Sequence, residues 1–237
     1  MSLSIIIPCK NEEQTIIKTI TKINKIIKRR IKEYEYILIN DFSNDNTYEE
    51  IKKLSKSKKN IKIKNNKIKG LGGAINLGIK SSKKRFIAIV MADLSDNPFD
   101  LIKYYNLINK YNYDAIFGSR FIKNSQVTDY PFKKLIYNRI FNYLVKLIFY
   151  SDYNDFTNAF KIYKKKTLLE MGPFISENFN IFLELPLKII IWKKKYKIIP
   201  IKWYNRKKGL SKFKVKELSS KYFFTLLYCF FERILIR

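Results

Sequence analysis

The chain has 237 residues, with 48 lysines and arginines against 20 aspartates and glutamates and a formal net charge of +28. Hydrophobic residues make up 46% of the sequence, which is enough for a buried core and excludes a disordered chain. Histidine is absent, which excludes Ser-His-Asp and Cys-His catalysis and zinc sites that need an imidazole. Two cysteines, Cys9 and Cys229, are too few for a zinc cluster or a disulfide framework, so we expect a reducing compartment.

In the first half of the chain, strand and helix patterns alternate. Short apolar runs predict strands at 4–8, 36–39, 61–63, 86–91 and 115–117. Helical spacing predicts helices at 13–31 (capped by Asn11), at 47–54, after the glycine turn 70–73, and at 98–111. This order predicts an α/β fold with a mostly parallel sheet covered by helices on both faces. In such sheets, ligands bind beyond the carboxyl ends of the strands.

The second half of the chain is richer in aromatic residues. Its patterns predict an amphipathic, membrane-interface helix with a basic edge at 132–150, a strand near 159–163, a helix at 181–192, a strand at 197–203, and a basic loop at 205–212 before a C-terminal helix. We therefore predict one domain over 1–215, which contains the helix 132–150, and an apolar or amphipathic C-terminal helix over 216–237.

Neither a signal peptide nor a membrane-spanning helix is expected. The first apolar run, 3–7, has the length of a strand and lacks a basic leader. The longest apolar stretch, 222–231, is about half the length of a spanning helix, and it is expected to be buried or interfacial.

The high positive charge has three explanations. The basic residues are spread along the whole chain among many isoleucines and asparagines, which is the composition that an AT-rich genome would produce on tolerant surfaces. Attraction to anionic lipid or to phosphate-bearing substrates is the second explanation. Nucleic-acid binding ranks last, because no helix-turn-helix or RNA-binding signature is present, and we expect no nucleic-acid partner.

Polar residues follow several of the predicted strands. Asp41, at the end of the second strand, is typical of a carboxylate that accepts hydrogen bonds from a base or ribose, and equally of an Asx turn that caps the next helix. The turn Gly70–Gly73 could present backbone N–H groups to an anion, but a tight turn that packs helix against sheet is favoured. It matches neither a P-loop nor a dinucleotide fingerprint.

Asp93 ends the most hydrophobic strand and is followed by Ser95 and Asp96. Carboxylate and hydroxyl oxygens suit Mg²⁺ or Mn²⁺ holding a diphosphate, since phosphate supplies the remaining ligands. The alternative is that Ser95 or Asp96 caps the helix that starts at Pro98.

A few cations and carboxylates elsewhere are candidates for phosphate binding or for structural roles. Arginine is scarce in this lysine-rich chain, so an arginine at a loop or helix edge suggests planar phosphate contacts, with chance as the alternative. The basic candidates are Arg120, Arg139, Arg206 and Lys212. Asp155 and Glu184 are expected either to hold loops or to pair with a cation.

Seven segments taken together resemble the family 2 glycosyltransferases, and within them the dolichyl-phosphate mannosyltransferase-like branch. They are collinear and lie at 4–13, 40–47, 70–78, 91–98, 118–120, 155–161 and 206–212. The resemblance covers nearly the whole chain and implies a GT-A fold. It implies an inverting hexosyltransferase that uses a nucleotide-sugar, a polyprenyl or dolichyl phosphate, and Mg²⁺ or Mn²⁺.

The resemblance also implies roles for individual residues. The donor would be bound by Pro8, Lys10, Glu12, Asn40, Asp41, Asp93 and Arg120. The metal would be bound by Asp93, Ser95 and Asp96, and the acceptor phosphate would meet Arg139 and Arg120. Catalysis would rest on Asp93, Arg206 and Lys212, whose charges stabilise the leaving diphosphate.

Three positions depart from the family pattern. Lys10 stands where an aromatic residue is usual, Asn40 replaces the first of two acids, and Met91 replaces the first aspartate of the metal motif. Asp96, in the same turn, is a candidate to compensate. Because Lys10 and Asn40 lie where the base would be recognised, GDP-mannose and UDP-glucose both remain open as donors.

The resemblance further implies a peripheral enzyme on the cytoplasmic face of a membrane. A polyprenyl phosphate is already an anion, so no general base is needed. A glycan or protein hydroxyl acceptor would instead require a basic carboxylate, with Asp155 and Glu184 as candidates. A degenerate relative that only binds a partner or lipid is a further alternative.

Overall fold

The computed structural model describes residues 2–205 and 215–236, although the side chains of 215–219 are not among those described. Nine strands lie in this part of the chain: β1 (Ser2–Cys9), β2 (Glu33–Asn40), β3 (Ile61–Asn65), β4 (Phe86–Ile89), β5 (Ala115–Ser119), β6 (Gln126–Thr128), β7 (Lys161–Lys164), β8 (Tyr196–Pro200) and β9 (Lys202–Tyr204). The same part contains eight helices: α1 (Ile16–Ile27), α2 (Thr47–Ser57), α3 (Leu71–Ser81), α4 (Pro98–Lys110), α5 (Phe132–Phe149), α6 (Lys165–Met171), α7 (Ile181–Ile191) and α8 (Val215–Leu235).

Seven of these strands form one twisted sheet in the order β3-β2-β1-β4-β7-β5-β8. All neighbouring pairs are parallel except the two that involve β7, which runs antiparallel to β4 and β5. The predicted α/β fold, a mostly parallel sheet with helices on both faces, is confirmed. The chain order reverses between β1 and β4, so a ligand crevice is expected beyond the carboxyl ends of these two strands.

Alternation along the central strands places apolar side chains on both faces of the sheet. In β2, Tyr36 and Leu38 face one core, whereas Ile37 and Ile39 face the other. The first core is closed by α1, α2 and α4, and the second by α3, α5, α6, α7 and α8. Burial on both faces explains why these strands read as continuous apolar runs in the sequence.

The start of α4 at Pro98 is confirmed, but one predicted helix start and one predicted helix cap were wrong. The helix α1 begins at Ile16 instead of residue 13, because Asn11 lies at φ 49° and its side chain accepts a hydrogen bond from the backbone N–H of Asn44 at 2.8 Å. The helix α4 is capped by Asn97, whose Oδ1 accepts from the N–H of Phe99 at 3.0 Å, and not by Ser95 or Asp96.

The second half of the chain contains elements that the sequence patterns did not predict. The short strand β6 pairs in parallel with β9 in a separate two-stranded sheet, and α6 follows β7 directly. The strand predicted over 197–203 is two strands, β8 and β9, in different sheets. Among the described residues, none of the helices combines the length and the apolar composition needed to cross a bilayer.

Candidate active site

The turn that follows β4 carries Asp93 and Asp96 at the chain reversal of the sheet. Asp93 Oδ1 accepts a hydrogen bond from the N–H of Ser95 at 3.1 Å, and Asp96 Oδ2 accepts from the N–H of Met91 at 3.2 Å. Leu94, between them, has φ 66°. The two carboxylates therefore belong to one tight turn, with Asp93 half-exposed and Asp96 buried.

The charge of Asp93 acts on Asp96. Burial and, after it, the nearby carboxylate of Asp93 raise the pKa of Asp96 to about 7, against the opposing effect of the Arg120 guanidinium. Two adjacent carboxylates that repel each other fit a hard divalent cation that takes its remaining ligands from phosphate oxygens. Among the described residues there is no cluster of three or more acidic or cysteine side chains that could bind a metal ion without such help.

The strand β9 lies against this turn. The N–H of Tyr204 donates to the carbonyl of Ser95 at 3.1 Å, and Asp96 forms an isolated bridge with Trp203. Ser95, predicted as a metal ligand, is buried between these contacts. Arg206 and Lys212 lie outside the described residues, but the chain that precedes them is bonded to the Asp93 turn.

Asp41 holds the loop that leads into α3. Its Oδ1 accepts hydrogen bonds from Asn66 Nδ2 at 2.7 Å and from the N–H of Gly70 at 2.9 Å. The turn before α2 is instead closed by Asp45, whose Oδ1 accepts from the N–H of Thr47 at 3.0 Å. Asp41 is thus not the cap of that helix, and its proposed contact with the donor stays a prediction.

The N–H groups of Gly70, Gly72 and Gly73 in the glycine turn are bonded to other parts of the protein. The N–H groups of Gly72 and Gly73 donate to the carbonyl of Glu177, at 2.8 and 3.3 Å. A Cβ on Gly72 would lie within 2 Å of the carbonyl oxygen of Ser176. Glycine is therefore needed here because another backbone segment approaches closely. This agrees with the favoured interpretation of the sequence, a tight packing turn.

The remaining predicted donor residues line the carboxyl ends of β1 and β2. Pro8 is buried in β1, Lys10 is half-buried just beyond it, and the Oε2 atom of Glu12 accepts from the Thr15 hydroxyl at 2.9 Å. Asn40 Nδ2 donates to Asn65 Oδ1 at 3.3 Å. The topology thus brings these side chains to the same edge of the sheet as Asp93.

Arg120, directly after β5, forms a buried ion pair with Asp155. Asp155 Oδ2 accepts from both the backbone N–H and the Nε of Arg120 at 2.9 Å, and Oδ1 accepts from Nη2 at 2.6 Å. Asp155 is fully buried and Arg120 is 8% exposed. Pairing of Asp155 with a cation was one of its two expected roles, but nothing in the sequence identified Arg120 as the partner, because the two residues are 35 positions apart in the chain.

Aromatic rings surround the Arg120 guanidinium. Its Cζ lies 5.3 Å from the ring centre of Phe121, 5.4 Å from that of Tyr130 and 5.6 Å from that of Trp203. Arg139, on α5, also contacts the Phe121 ring, with its Cζ 4.4 Å from the ring centre. Its Nη1 donates to the carbonyl of Asn154 at 3.0 Å. Arg120 and Arg139 are therefore brought together, as their predicted shared role requires.

Glu184, in α7, is fully buried and has a structural role. Its two oxygens accept from the N–H groups of Ile175 and Ser176, at 2.9 and 2.8 Å. This fixes the segment 173–180, whose Glu177 carbonyl in turn binds the glycine turn.

The family model described as "Glycosyl transferase family 2" matches residues 4–172, which is more than half of the chain. The chain belongs to glycosyl transferase family 2. Over 225 residues it is 29% identical to the dolichol-phosphate mannosyltransferase of Pyrococcus furiosus, covering 92% of this chain and 61% of that protein. The chain thus spans about three fifths of the length of this curated relative.

Two solved structures show the fold of this family 2 member. The crystal structure of S. aureus TarS 1–349 superposes with a TM-score of 0.64 at 19% identity, covering 99% of this chain and 66% of that one. Glucosyl-3-phosphoglycerate synthase from Mycobacterium tuberculosis, in complex with Mn²⁺, uridine diphosphate and glucosyl-3-phosphoglycerate, gives a TM-score of 0.69 at 13% identity, covering 96% and 79%. The expected GT-A fold is confirmed by these likenesses.

Sequence reasoning about this family 2 chain missed one residue at the site, Lys161. It is buried at the start of β7, and its amine donates to the carbonyls of Phe156 and Asn158. A lysine in a lysine-rich sequence carries no distinguishing signal. Only the antiparallel course of β7 places it under the Arg120–Asp155 pair.

Proposed function

We propose that this chain transfers a hexose, mannose or glucose, from a nucleotide-sugar to a polyprenyl phosphate at an anionic membrane surface, with inversion at the anomeric carbon. Membership of family 2 and the likeness to a dolichol-phosphate mannosyltransferase support this choice of reaction and acceptor. The observation that carries the proposal is that Asp155 and Glu184, the carboxylates that could act as a base toward a hydroxyl acceptor, are both fully hydrogen-bonded.

Neither carboxylate is available as a general base. Both oxygens of Asp155 are bonded to Arg120, and both oxygens of Glu184 are bonded to backbone N–H groups. A hydroxyl acceptor needs a base to remove its proton, whereas a phosphate monoester is ionised at neutral pH. An acceptor that brings its own negative charge therefore fits this site better than a glycan or protein hydroxyl.

The cations around the β4 and β5 ends suit a site where several phosphates meet. Arg120 lies close enough to the Asp93 turn for its charge to act on Asp96, and Arg139 lies against the Phe121 ring that Arg120 also contacts. The basic segment 206–212 follows β9 in the sequence. In the proposed reaction, they orient the phosphates and stabilise the charge that develops on the leaving diphosphate. Lys10, Asn40 and Asp41 would contact the nucleoside, and the choice between GDP-mannose and UDP-glucose stays open.

Asp93 and Asp96 are the residues that would hold a divalent cation. Bound there, Mg²⁺ or Mn²⁺ would neutralise part of the diphosphate charge. Asp93 is the better placed of the two, because it is half-exposed while Asp96 is buried and bonded to the Met91 N–H.

The outer faces of α5 and α8 support the membrane part of the proposal. The helices contact each other, with the Phe141 and Tyr222 rings 5.5 Å apart and Arg233 Nη1 donating to the carbonyl of Ile148 at 2.9 Å. Large apolar side chains are exposed along both of them, namely Phe132, Ile136, Tyr137, Ile140, Tyr143, Leu144, Leu147, Phe223, Phe224, Phe231, Ile234 and Leu235. Such a surface with flanking lysines suits the headgroup region of an anionic bilayer, and we place the protein on its cytoplasmic face.

A direct transfer assay tests this function. Radiolabelled GDP-mannose and UDP-glucose are each incubated with the chain, phosphatidylglycerol vesicles and a polyprenyl phosphate, with Mg²⁺, with Mn²⁺ or with a chelator. We expect label in the lipid fraction with one donor and its loss with chelator. Asp93→Asn should reduce transfer at least about 100-fold, since it removes a charge that acts on the diphosphate.

The control for this assay is Glu33→Gln, which removes an exposed carboxylate at the amino end of β2, away from the site, and should leave transfer unchanged. Labelling of a glycan but not of the lipid would instead favour a hydroxyl acceptor. Absence of transfer from, and of binding to, any nucleotide-sugar would indicate a non-catalytic relative.

A further inference from the structure

The loop between α5 and β7, residues 151–160, wraps around the carboxyl end of β5. The Tyr153 hydroxyl and the Asn158 side-chain amide both donate to the carbonyl of Gly118 at 2.9 Å. Asn154 Nδ2 donates to the carbonyl of Phe121 at 3.0 Å. Side chains before and after Asp155 thus attach its loop to the backbone on either side of Arg120.

Lys161, at the start of β7, also holds this loop in place. Lys161 is 1% exposed, and its amine donates to the carbonyls of Phe156 and Asn158, one and three residues after Asp155. The loop that carries the Asp155 carboxylate is therefore held by contacts that do not involve the Arg120 side chain.

From this loop, Asp155 grips one edge of the Arg120 guanidinium. The carboxylate bonds to Nε and Nη2, and it also accepts the backbone N–H of the same residue. This three-point contact fixes both the position and the plane of the guanidinium. The Tyr130 side chain forms a further hydrogen bond to this guanidinium.

We propose that Asp155 is a positioning residue that holds the Arg120 guanidinium in the one orientation in which it contacts a phosphate of the substrate. This inference rests on the proposed function, in which Arg120 contacts a phosphate of the donor diphosphate or of the acceptor. A guanidinium fixed in advance loses little freedom on binding, which is the advantage of arginine over lysine at such a site. The position is also shielded by the rings of Phe121, Tyr130 and Trp203, which limit the approach of water.

Calorimetric titration of two phosphate probes tests the inference. The probes are UDP or GDP with Mg²⁺, for the donor diphosphate, and geranyl phosphate, for the acceptor monophosphate. We expect Arg120→Met and Asp155→Asn each to weaken binding of the same probe by at least about tenfold, because a misplaced contact group loses most of its effect. The double variant should bind no more weakly than Arg120→Met alone, since Asp155 acts only through Arg120.

The matched control is Glu35→Gln. Glu35 is another buried carboxylate, bonded to Ser4 and Lys62, but it lies toward the amino ends of the strands, away from the site. This variant should lose folding stability without a change in the affinity for either probe. If Asp155→Asn does not fold, Asp155→Glu keeps the charge but displaces the carboxylate, and it should weaken the same probe.

Several results would overturn the inference: wild-type affinity in the folded Asp155 variant, additive losses in the double variant, or no binding of either probe by the wild-type chain. The proposed function fails separately. A wild-type chain that binds a probe in an Arg120- and Asp155-dependent manner but transfers no sugar refutes the function and retains the positioning role. Transfer by the wild type that Asp155→Asn leaves intact refutes only the positioning role.

Discussion

Lys161 is a buried amine whose surroundings favour its neutral form. Burial, with a smaller contribution from the charge of Arg120, lowers the pKa of Lys161 to about 7, although the Asp155 carboxylate acts in the opposite direction. A neutral amine has two N–H groups, which matches the two carbonyls, of Phe156 and Asn158, that accept from it.

This shift predicts how folding stability depends on pH. Between about pH 7 and pH 10, the unfolded chain holds a proton on Lys161 that the folded chain does not, so the free energy of unfolding should rise with pH. Urea denaturation at pH 7 and pH 9 should show a gain of about 2 kcal/mol in the wild type that Lys161→Met lacks. Lys166→Met, at an exposed lysine of α6, should keep the wild-type dependence. Equal slopes in the wild type and Lys161→Met would contradict the shift.

At the scale of elements, α8 is attached to the domain by several polar contacts within an apolar interface, and one of them is an ion pair with α7. Lys188, buried in α7, lies 3.3 Å from Glu232 of α8, and Trp192 Nε1 donates to the same carboxylate at 3.0 Å. Glu232 raises the pKa of Lys188 against the effect of burial, so the amine stays charged and the ion pair is kept at neutral pH. With its inner face fixed in this way, α8 presents its apolar residues outward beside those of α5.

The exposed face of α5 is expected to control attachment to anionic lipid. Leu144→Glu combined with Leu147→Glu changes two side chains that are each 51% exposed, so the fold should be preserved. Sedimentation with phosphatidylglycerol vesicles should show at least about a tenfold loss of binding, because two leucines no longer enter the apolar layer.

The matched control for the vesicle experiment is Leu169→Glu combined with Ile175→Glu. These side chains are 52% and 51% exposed but lie outside α5 and α8. The double control makes the same change in charge and should bind vesicles like the wild type. Equal losses in both double variants would point to net charge alone and would contradict an α5 docking face.

At the scale of the whole molecule, the two cysteines report on different parts of the fold. Cys9 is fully buried at the end of the central strand β1, and Cys229 is fully buried on the inner side of α8. Burial raises the pKa of the Cys229 thiol well above its usual value, so neither thiol should react while the native contacts hold.

Thiol labelling should therefore follow the opening of the molecule. With Ellman's reagent, we expect the Cys9→Ser variant, which retains Cys229, to react before the Cys229→Ser variant, because α8 lies at the surface and β1 lies between two strands. Urea that unfolds the whole chain should equalise the two rates. Faster reaction of Cys9 in native buffer would contradict this order of opening.

The sequence by itself determined the parallel half of the fold and the edge at which the site lies. Apolar runs such as 4–8 and 36–39 are local signals, and their alternation with helices favours parallel strands, so the mostly parallel sheet and the placement of Asp41 and Asp93 at its carboxyl edge follow from the chain alone. The predicted helix caps were less accurate, because asparagine side chains such as Asn11 and Asn97 can accept hydrogen bonds from several nearby backbone N–H groups.

Only the tertiary structure decided how the second half completes the site. The antiparallel strand β7 and the loop 151–160 bring Asp155 and Lys161 against Arg120, and the β6–β9 pair brings Trp203 over the Asp93 turn. These contacts join residues that are far apart in the chain, and no sequence periodicity or motif spacing predicts them. Their stability comes from burial and charge pairing, which exist only after the sheet has formed.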